Sequence, residues 1–224
     1  MTDQGERYDR MAAGYEQWWA PVLAPSAHGL LDRMAGVLEV AVGILGRRIG
    51  RRGGSGFFGR RMGGVDKVCA PLGGQPILAY SIAAFQTSRL VHFIAVVLGE
   101  RNLDQGRALV RAGRWGKVVA VVPGGERRQD STRAGLAALP PCDYIAVHDA
   151  ARPFVTTDLI RRGVETAVAI GAAVAAMPVK ETIKQVRDDG LILRTPPRES
   201  LWAAQTPQFA RRDALERALA LADE

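Results

Sequence analysis

Cysteine is scarce: Cys69 and Cys142 are the two in 224 residues, too few for a disulfide scaffold. Histidine is nearly as rare. His28, His92 and His148 stand far apart, without the paired spacing of a dedicated zinc site. Long apolar runs are missing as well. The best candidate, Leu38 to Leu45, is interrupted by Glu39 and is far too short to span a bilayer. Asp3, Glu6 and Asp9 occupy the place where a secretory leader would be positive, so the expected address is the cytoplasm, with no membrane partner. What remains is 47% hydrophobic and 24% charged, the balance of a globular chain with ample length to bury a core.

Charge of one sign is in excess, 30 Lys+Arg against 23 Asp+Glu, a net +7, and its location matters more than its total. Arg47, Arg48, Arg51, Arg52, Arg60 and Arg61 all fall in the glycine-rich stretch Gly46 to Gly64. Arginines among glycines can follow a phosphate backbone. Aromatic interleaving stops at Phe57 and Phe58, however, and no nucleic-acid module follows, so a solvated linker is preferred over a nucleic-acid partner.

Residues 1 to 50 differ in character from the rest and read as an extension, helical or loose, ahead of a main domain over 51–224. Tyr8, Tyr15, Trp18 and Leu23 could share a helical face, and a second apolar helix is expected from Gly29 to about Leu45. The stretch Tyr8 to Leu23 resembles the opening of a small-molecule methyltransferase, but no glycine motif for a methyl donor follows it.

Beyond about residue 62 the pattern alternates. Pro76 opens a helix with Ile77, Leu78, Ile82 and Phe85 on one face. Apolar, β-branched runs at Phe93–Leu98, Val118–Val122, Tyr144–Val147 and Ala172–Pro178 predict buried strands. Helices are expected between them, over about Leu103–Ala112 and Gln129–Leu139, with another capped by Thr156 or Thr157 and running through Ile170. The fold class is therefore α/β, with a mostly parallel sheet covered on both faces. Ile183–Val186 and Leu191–Arg194, joined by Arg187-Asp188-Asp189-Gly190, predict a projecting hairpin whose edges suit pairing with another subunit. A last helix is expected from about Arg211 to Ala222.

In open α/β sheets ligands bind beyond the C-terminal ends of the strands. Three polar clusters fall there. Gly124-Gly125-Glu126-Arg127-Arg128-Gln129-Asp130-Ser131 follows a strand and opens a helix, so glycine backbone, helix-end amides, Arg128 and Ser131 favour an anion. His148-Asp149-Ala150-Ala151-Arg152-Pro153 places an acid and an arginine around two small residues, room for a metal-phosphate. Ser200-Leu201-Trp202-Ala203-Ala204-Gln205-Thr206-Pro207-Gln208 reads as a loop of small residues with a hydroxyl. Gly54-Ser55-Gly56-Phe57-Phe58-Gly59 matches G-x-G-x-x-G, but no clean strand leads into it and no convincing helix follows. Neither a P-loop string nor a G-x-S-x-G elbow occurs.

With Gly59-Arg60-Arg61-Met62-Gly63 and Lys67, these strings, in this order over Gly56 to about Ala222, resemble the 2-C-methyl-D-erythritol 4-phosphate cytidylyltransferases of non-mevalonate isoprenoid synthesis. The resemblance implies a nucleotidyltransferase-type (Rossmann-like) sheet, a homodimer built through the hairpin arm, CTP as co-substrate and a divalent metal, usually Mg2+. It implies that Arg61 and Lys67 hold the triphosphate and stabilise charge, and that Asp149 places the metal and both substrates. Gly125, Glu126, Arg128 and Ser131 would meet the cytidine, with Ala150 along the nucleotide; Arg152, Thr182, Arg198 and Thr206 would grip methylerythritol phosphate. The attacking phosphate oxygen is already ionised, its second pKa being about 6, so no general base is needed. Positioning and electrostatics suffice.

Two features depart from that family. Gly46-Arg47-Arg48-Ile49-Gly50-Arg51-Arg52-Gly53 follows the possible strand Val40–Leu45 where Pro-Ala-Ala-Gly is usual, and no Asn-x-Lys-x-Thr closes the sequence. A foreign N-terminal piece joined to a shortened enzyme, with impaired activity, is the corresponding expectation. Two alternatives stay open: a cytidylyltransferase for another sugar-alcohol phosphate such as ribitol 5-phosphate, and a non-catalytic remnant that binds anions or nucleic acid.

Overall fold

The structure is a computed structural model that describes residues 40–45 and 67–221. Its centre is a six-stranded sheet in the order β5-β4-β1-β6-β10-β7. The strands are β1 (Val40–Leu45), β4 (Phe93–Leu98), β5 (Val118–Pro123), β6 (Tyr144–Asp149), β7 (Ala172–Pro178) and β10 (Trp202–Arg211). β1 pairs in parallel with β4 on one side and β6 on the other, and β5 extends the parallel set. β10 runs antiparallel to both β6 and β7.

The two-residue period of the strands divides the core into two layers. Ile94, Val96 and Leu98 of β4, with Val42 and Ile44 of β1 and Ala146 of β6, pack with α1 (Ile77–Thr87) and α4 (Thr157–Ile170). Ala95, Val97, Ile145 and Val147 point the other way, onto α3 (Arg128–Ala137) and the partly buried Leu215 and Leu219 of α5 (Arg212–Leu221). The fifth helix, α2 (Leu103–Gly113), adds Leu103, Leu109 and Val110 to the first layer. Each fully buried Ile or Leu contributes about 1.5–3 kcal/mol by leaving water, and β4 is apolar and buried on both faces, so both faces need helical cover. Helix α4 is bounded by chemistry legible in the chain: Thr156 Oγ1 accepts the Leu159 N–H, and Gly171 closes the C-terminus at φ 96°.

Two short ribbons flank the sheet. β2 (Pro71–Leu72) and β3 (Gln75–Pro76) turn through Gly73 and Gly74, both at positive φ. β8 (Gln185–Val186) and β9 (Ile192–Arg194) form the expected arm, turning at Gly190 with φ 81°.

Three expectations need correction. Residues 40–45 are strand rather than the end of a helix: Val40, Val42 and Ile44 are β-branched, and parallel neighbours claim both edges. A domain boundary at residue 50 therefore cuts off a strand that sits inside the sheet. The stretch from Trp202 is also a strand, not a loop. It carries a register shift between Ala204 and Gln208 that accommodates Pro207. Residues 1–39, the arginine-glycine stretch and Arg61 lie outside the described residues.

Candidate active site

The C-terminal ends of β5, β6 and β7 and the start of the antiparallel β10 share one rim of the sheet. The centre of that rim is a tight turn after β6. Asp149 Oδ1 accepts the Ala151 N–H at 3.1 Å, and the Arg152 N–H returns to the Asp149 carbonyl at 3.0 Å. This leaves Asp149 Oδ2 facing the Arg152 guanidinium, 3.9 Å from Nε. Both side chains are partly exposed, at 26% and 34%, so the acid and the base meet solvent side by side. Arg152 also donates to Gln205 Oε1 of β10.

Beneath the turn lies a wholly buried imidazole. His148 Nε2 stands 3.1 Å from the Arg152 carbonyl, and Nδ1 stands 3.3 Å from Thr206 Oγ1. Phe85 packs edge-on against the ring at 5.1 Å. Burial pushes the His148 pKa down to about 4; the hydrogen bond to Arg152 and the charge of Asp149 oppose this, while the charges of Arg152 and Arg128 reinforce it. Ser81 Oγ of α1 donates to the Ala150 carbonyl at 3.1 Å, so helix, strand and turn are fastened together.

The second cluster opens α3. Asp130 accepts the Arg127 N–H at 3.0 Å and grips its guanidinium at 2.8 Å, which closes the first turn. That guanidinium holds the Asp130 carboxyl below its ordinary range. Gly124 N–H donates to Leu98 O at 2.8 Å. Glu126 and Arg128 are exposed, and Gly125 and Ser131 are half-buried. A Cβ on Gly125 would lie 2.3 Å from Asp130 Cβ, so this glycine is required by the helix start itself rather than only by an approaching ligand.

The other expected residues divide. Lys67 begins a 3-10 turn, Lys67–Cys69, whose next residue, Val68, is in the core. Thr182 and Arg198 are exposed at the base of the arm, and Arg198 donates to the Lys180 carbonyl at 3.2 Å. Thr206 is 4% exposed, and its hydroxyl is engaged by the Asp149 N–H at 3.1 Å as well as by His148. Ala150, expected along the nucleotide, is fully buried and belongs to the core, so its methyl is not on the open rim. Among the described residues no group of three or more His, Cys, Asp or Glu could hold a metal by itself.

A family model for 2-C-methyl-D-erythritol 4-phosphate cytidylyltransferase matches residues 54–224. The chain belongs to this cytidylyltransferase family. Proteins of that name from Dehalococcoides mccartyi strain CBDB1 and Symbiobacterium thermophilum are 45% and 42% identical over 159 and 193 residues. Those matches cover 71% and 84% of this chain and 70% and 77% of the relatives. The solved 4-diphosphocytidyl-2C-methyl-D-erythritol synthase of Anaerococcus prevotii superposes with a TM-score of 0.68 over 82% of this chain and 77% of its own. At 22% identity that likeness speaks for the α/β fold.

The sequence strings that mark the family also contain residues passed over as site candidates. His148 and Gln205 lie inside those strings, while Ser81 lies in α1, remote in sequence from any of them. One signal was present for His148: it follows the apolar run Ile145-Ala146-Val147 on a strand whose two faces are both buried, and shares the parity of Ala146.

Proposed function

We propose that the rim around Asp149 and Arg152 carries the cytidylyltransferase reaction: the cytidylyl group of CTP is transferred to 2-C-methyl-D-erythritol 4-phosphate and pyrophosphate leaves. The observation that supports it most is the Asp149–Arg152 turn, where a carboxylate and a guanidinium stand 3.9 Å apart and partly exposed at the C-terminal end of β6. The attacking phosphate oxygen needs no proton removed, so the chain's task is to align anions and offset the charge that grows at phosphorus.

Arg152 supplies a planar fork for the acceptor's phosphate, with Thr182 and Arg198 at the edge. Arg128 and Ser131 at the first turn of α3, with Gly125 and Glu126, meet the cytidine nucleotide, where helix-end amides favour an anion. Arg61 and Lys67 hold the triphosphate. Asp149 suits Mg2+, which binds through one or two carboxylates plus substrate phosphates rather than an all-protein cage. When bound, that ion would neutralise phosphate charge.

The arm supports a homodimer. Ile183, Val186, Leu191, Ile192 and Leu193 are each 40% or more exposed, an apolar surface that a second copy of the chain would cover. Cys69 and Cys142 remain thiols rather than a disulfide pair, which suits a reducing cytoplasm, and no described helix is long and apolar enough to cross a membrane.

The test is pyrophosphate release from CTP, Mg2+ and either methylerythritol phosphate or ribitol 5-phosphate. Turnover with the first acceptor well above the second is expected. Preference for ribitol 5-phosphate, or none for either, would overturn the assignment.

A further inference from the structure

We infer that Thr206 and His148 are positioning residues: a one-way hydrogen-bond chain from the Asp149 amide through the Thr206 hydroxyl and the His148 ring to the Arg152 carbonyl sets the spacing of Asp149 and Arg152. The inference rests on the site reading above. The direction of each bond follows from the groups involved. A carbonyl only accepts, so the neutral imidazole must carry its proton on Nε2, 3.1 Å from Arg152 O. Nδ1 is then the acceptor, and the Thr206 hydroxyl 3.3 Å away must donate to it. The oxygen of that hydroxyl keeps lone pairs for the Asp149 N–H at 3.1 Å. Thr206 is 4% exposed and His148 0%, so bulk water does not compete for these bonds.

The chain of bonds joins both ends of the turn that presents the carboxylate and the guanidinium. It also ties that turn to β10 within the stretch between Ala204 and Gln208 where the register against β7 shifts. Thr206 thereby acts through Asp149 and Arg152, whereas the family resemblance assigned it a grip on substrate. Groups that orient a reacting constellation in this way typically cost about 10–100-fold in activity when removed.

Thr206→Val keeps shape and branching but deletes the hydroxyl, and Thr206→Ser restores it. The expected result is a kcat about 10-fold or more lower in the valine variant, with the KM for methylerythritol phosphate little changed and turnover returned by serine. A raised KM at full kcat would make Thr206 a substrate contact and overturn the inference. So would a lower melting temperature with both constants intact, the mark of a purely structural bond. Two further readouts do not need turnover, so failure of the assigned reaction is distinguishable from failure of the chain of bonds. Nitrogen-15 shifts of His148 should report the neutral Nε2–H tautomer, and Thr206→Val should speed exchange of the Asp149 amide. A neutral Nδ1–H ring, or unchanged exchange, would overturn it.

Discussion

The amide of Asp149 donates to the hydroxyl of Thr206 across 3.1 Å, although 57 residues separate the two in the chain. That bond fastens the parallel half of the sheet to its antiparallel strand at the point where the acid and arginine of the rim emerge.

Removing the charge on Asp149 while keeping its turn isolates the electrostatic role. In Asp149→Asn the side-chain amide would still offer an oxygen to the Ala151 N–H, which now sits 3.1 Å from Oδ1. This variant should therefore fold normally, lose about 10²-fold in turnover and require more Mg2+. A Mg2+ titration of pyrophosphate release checks this, and an unchanged requirement would count against the metal role.

Acid should destabilise the protein through His148. Its pKa is about 4 in the fold against 6.5 for the free group, so the unfolded chain binds the extra proton first as pH falls. Stability from the neutral buried ring is complete above pH 6.5 and declines between there and about pH 4, by a total on the order of 3 kcal/mol. Comparing urea midpoints of wild type and His148→Phe over that window measures it. The phenylalanine variant should lack this component, leaving a shallower slope; equal slopes would refute it.

Helix α4 lies so close to β10 that a Cβ on Gly163 would sit 2.1 Å from the Phe209 ring. Gly163→Ala should cost about 1–3 kcal/mol by overpacking, despite alanine's better helix propensity. Thermal unfolding decides, since a gain in melting temperature would mean the helix can slide outward.

Arg212 follows the end of β10 and begins α5. Its guanidinium reaches Pro140 O at 2.7 Å, Leu136 O at 3.4 Å and Glu216 Oε1 at 2.9 Å. Arg212→Ala should lower stability by about 1–3 kcal/mol by stranding those carbonyls, with KM for both substrates unaltered. A change in KM would tie this clamp to the rim.

Apart from β1, the parallel strands and their helices were legible because each is a short, strongly patterned unit: Phe93–Leu98 and Ala172–Pro178 occur where the apolar runs place them. β10 was hidden because Ala203, Ala204 and Pro207 carry little strand preference, and its pairing comes from two neighbours distant in sequence. The same long-range placement explains why Gln205 and Ser81 were missed and why Thr206 was expected on substrate rather than on Asp149. Their partners at Asp149, Arg152 and Ala150 are set by the sheet order and not by local spacing. Ala150 differs from its neighbours in the string: they reach the rim while its own methyl turns into the core.

The most direct measurement is steady-state pyrophosphate release with CTP, Mg2+ and methylerythritol phosphate for the wild-type chain beside Arg152→Ala. The wild type should turn over, and removing the guanidinium should raise the KM for methylerythritol phosphate about 10-fold or more while leaving the KM for CTP in place. An Arg152→Ala enzyme that kept the wild-type KM for methylerythritol phosphate would contradict an acceptor site at the Asp149–Arg152 turn.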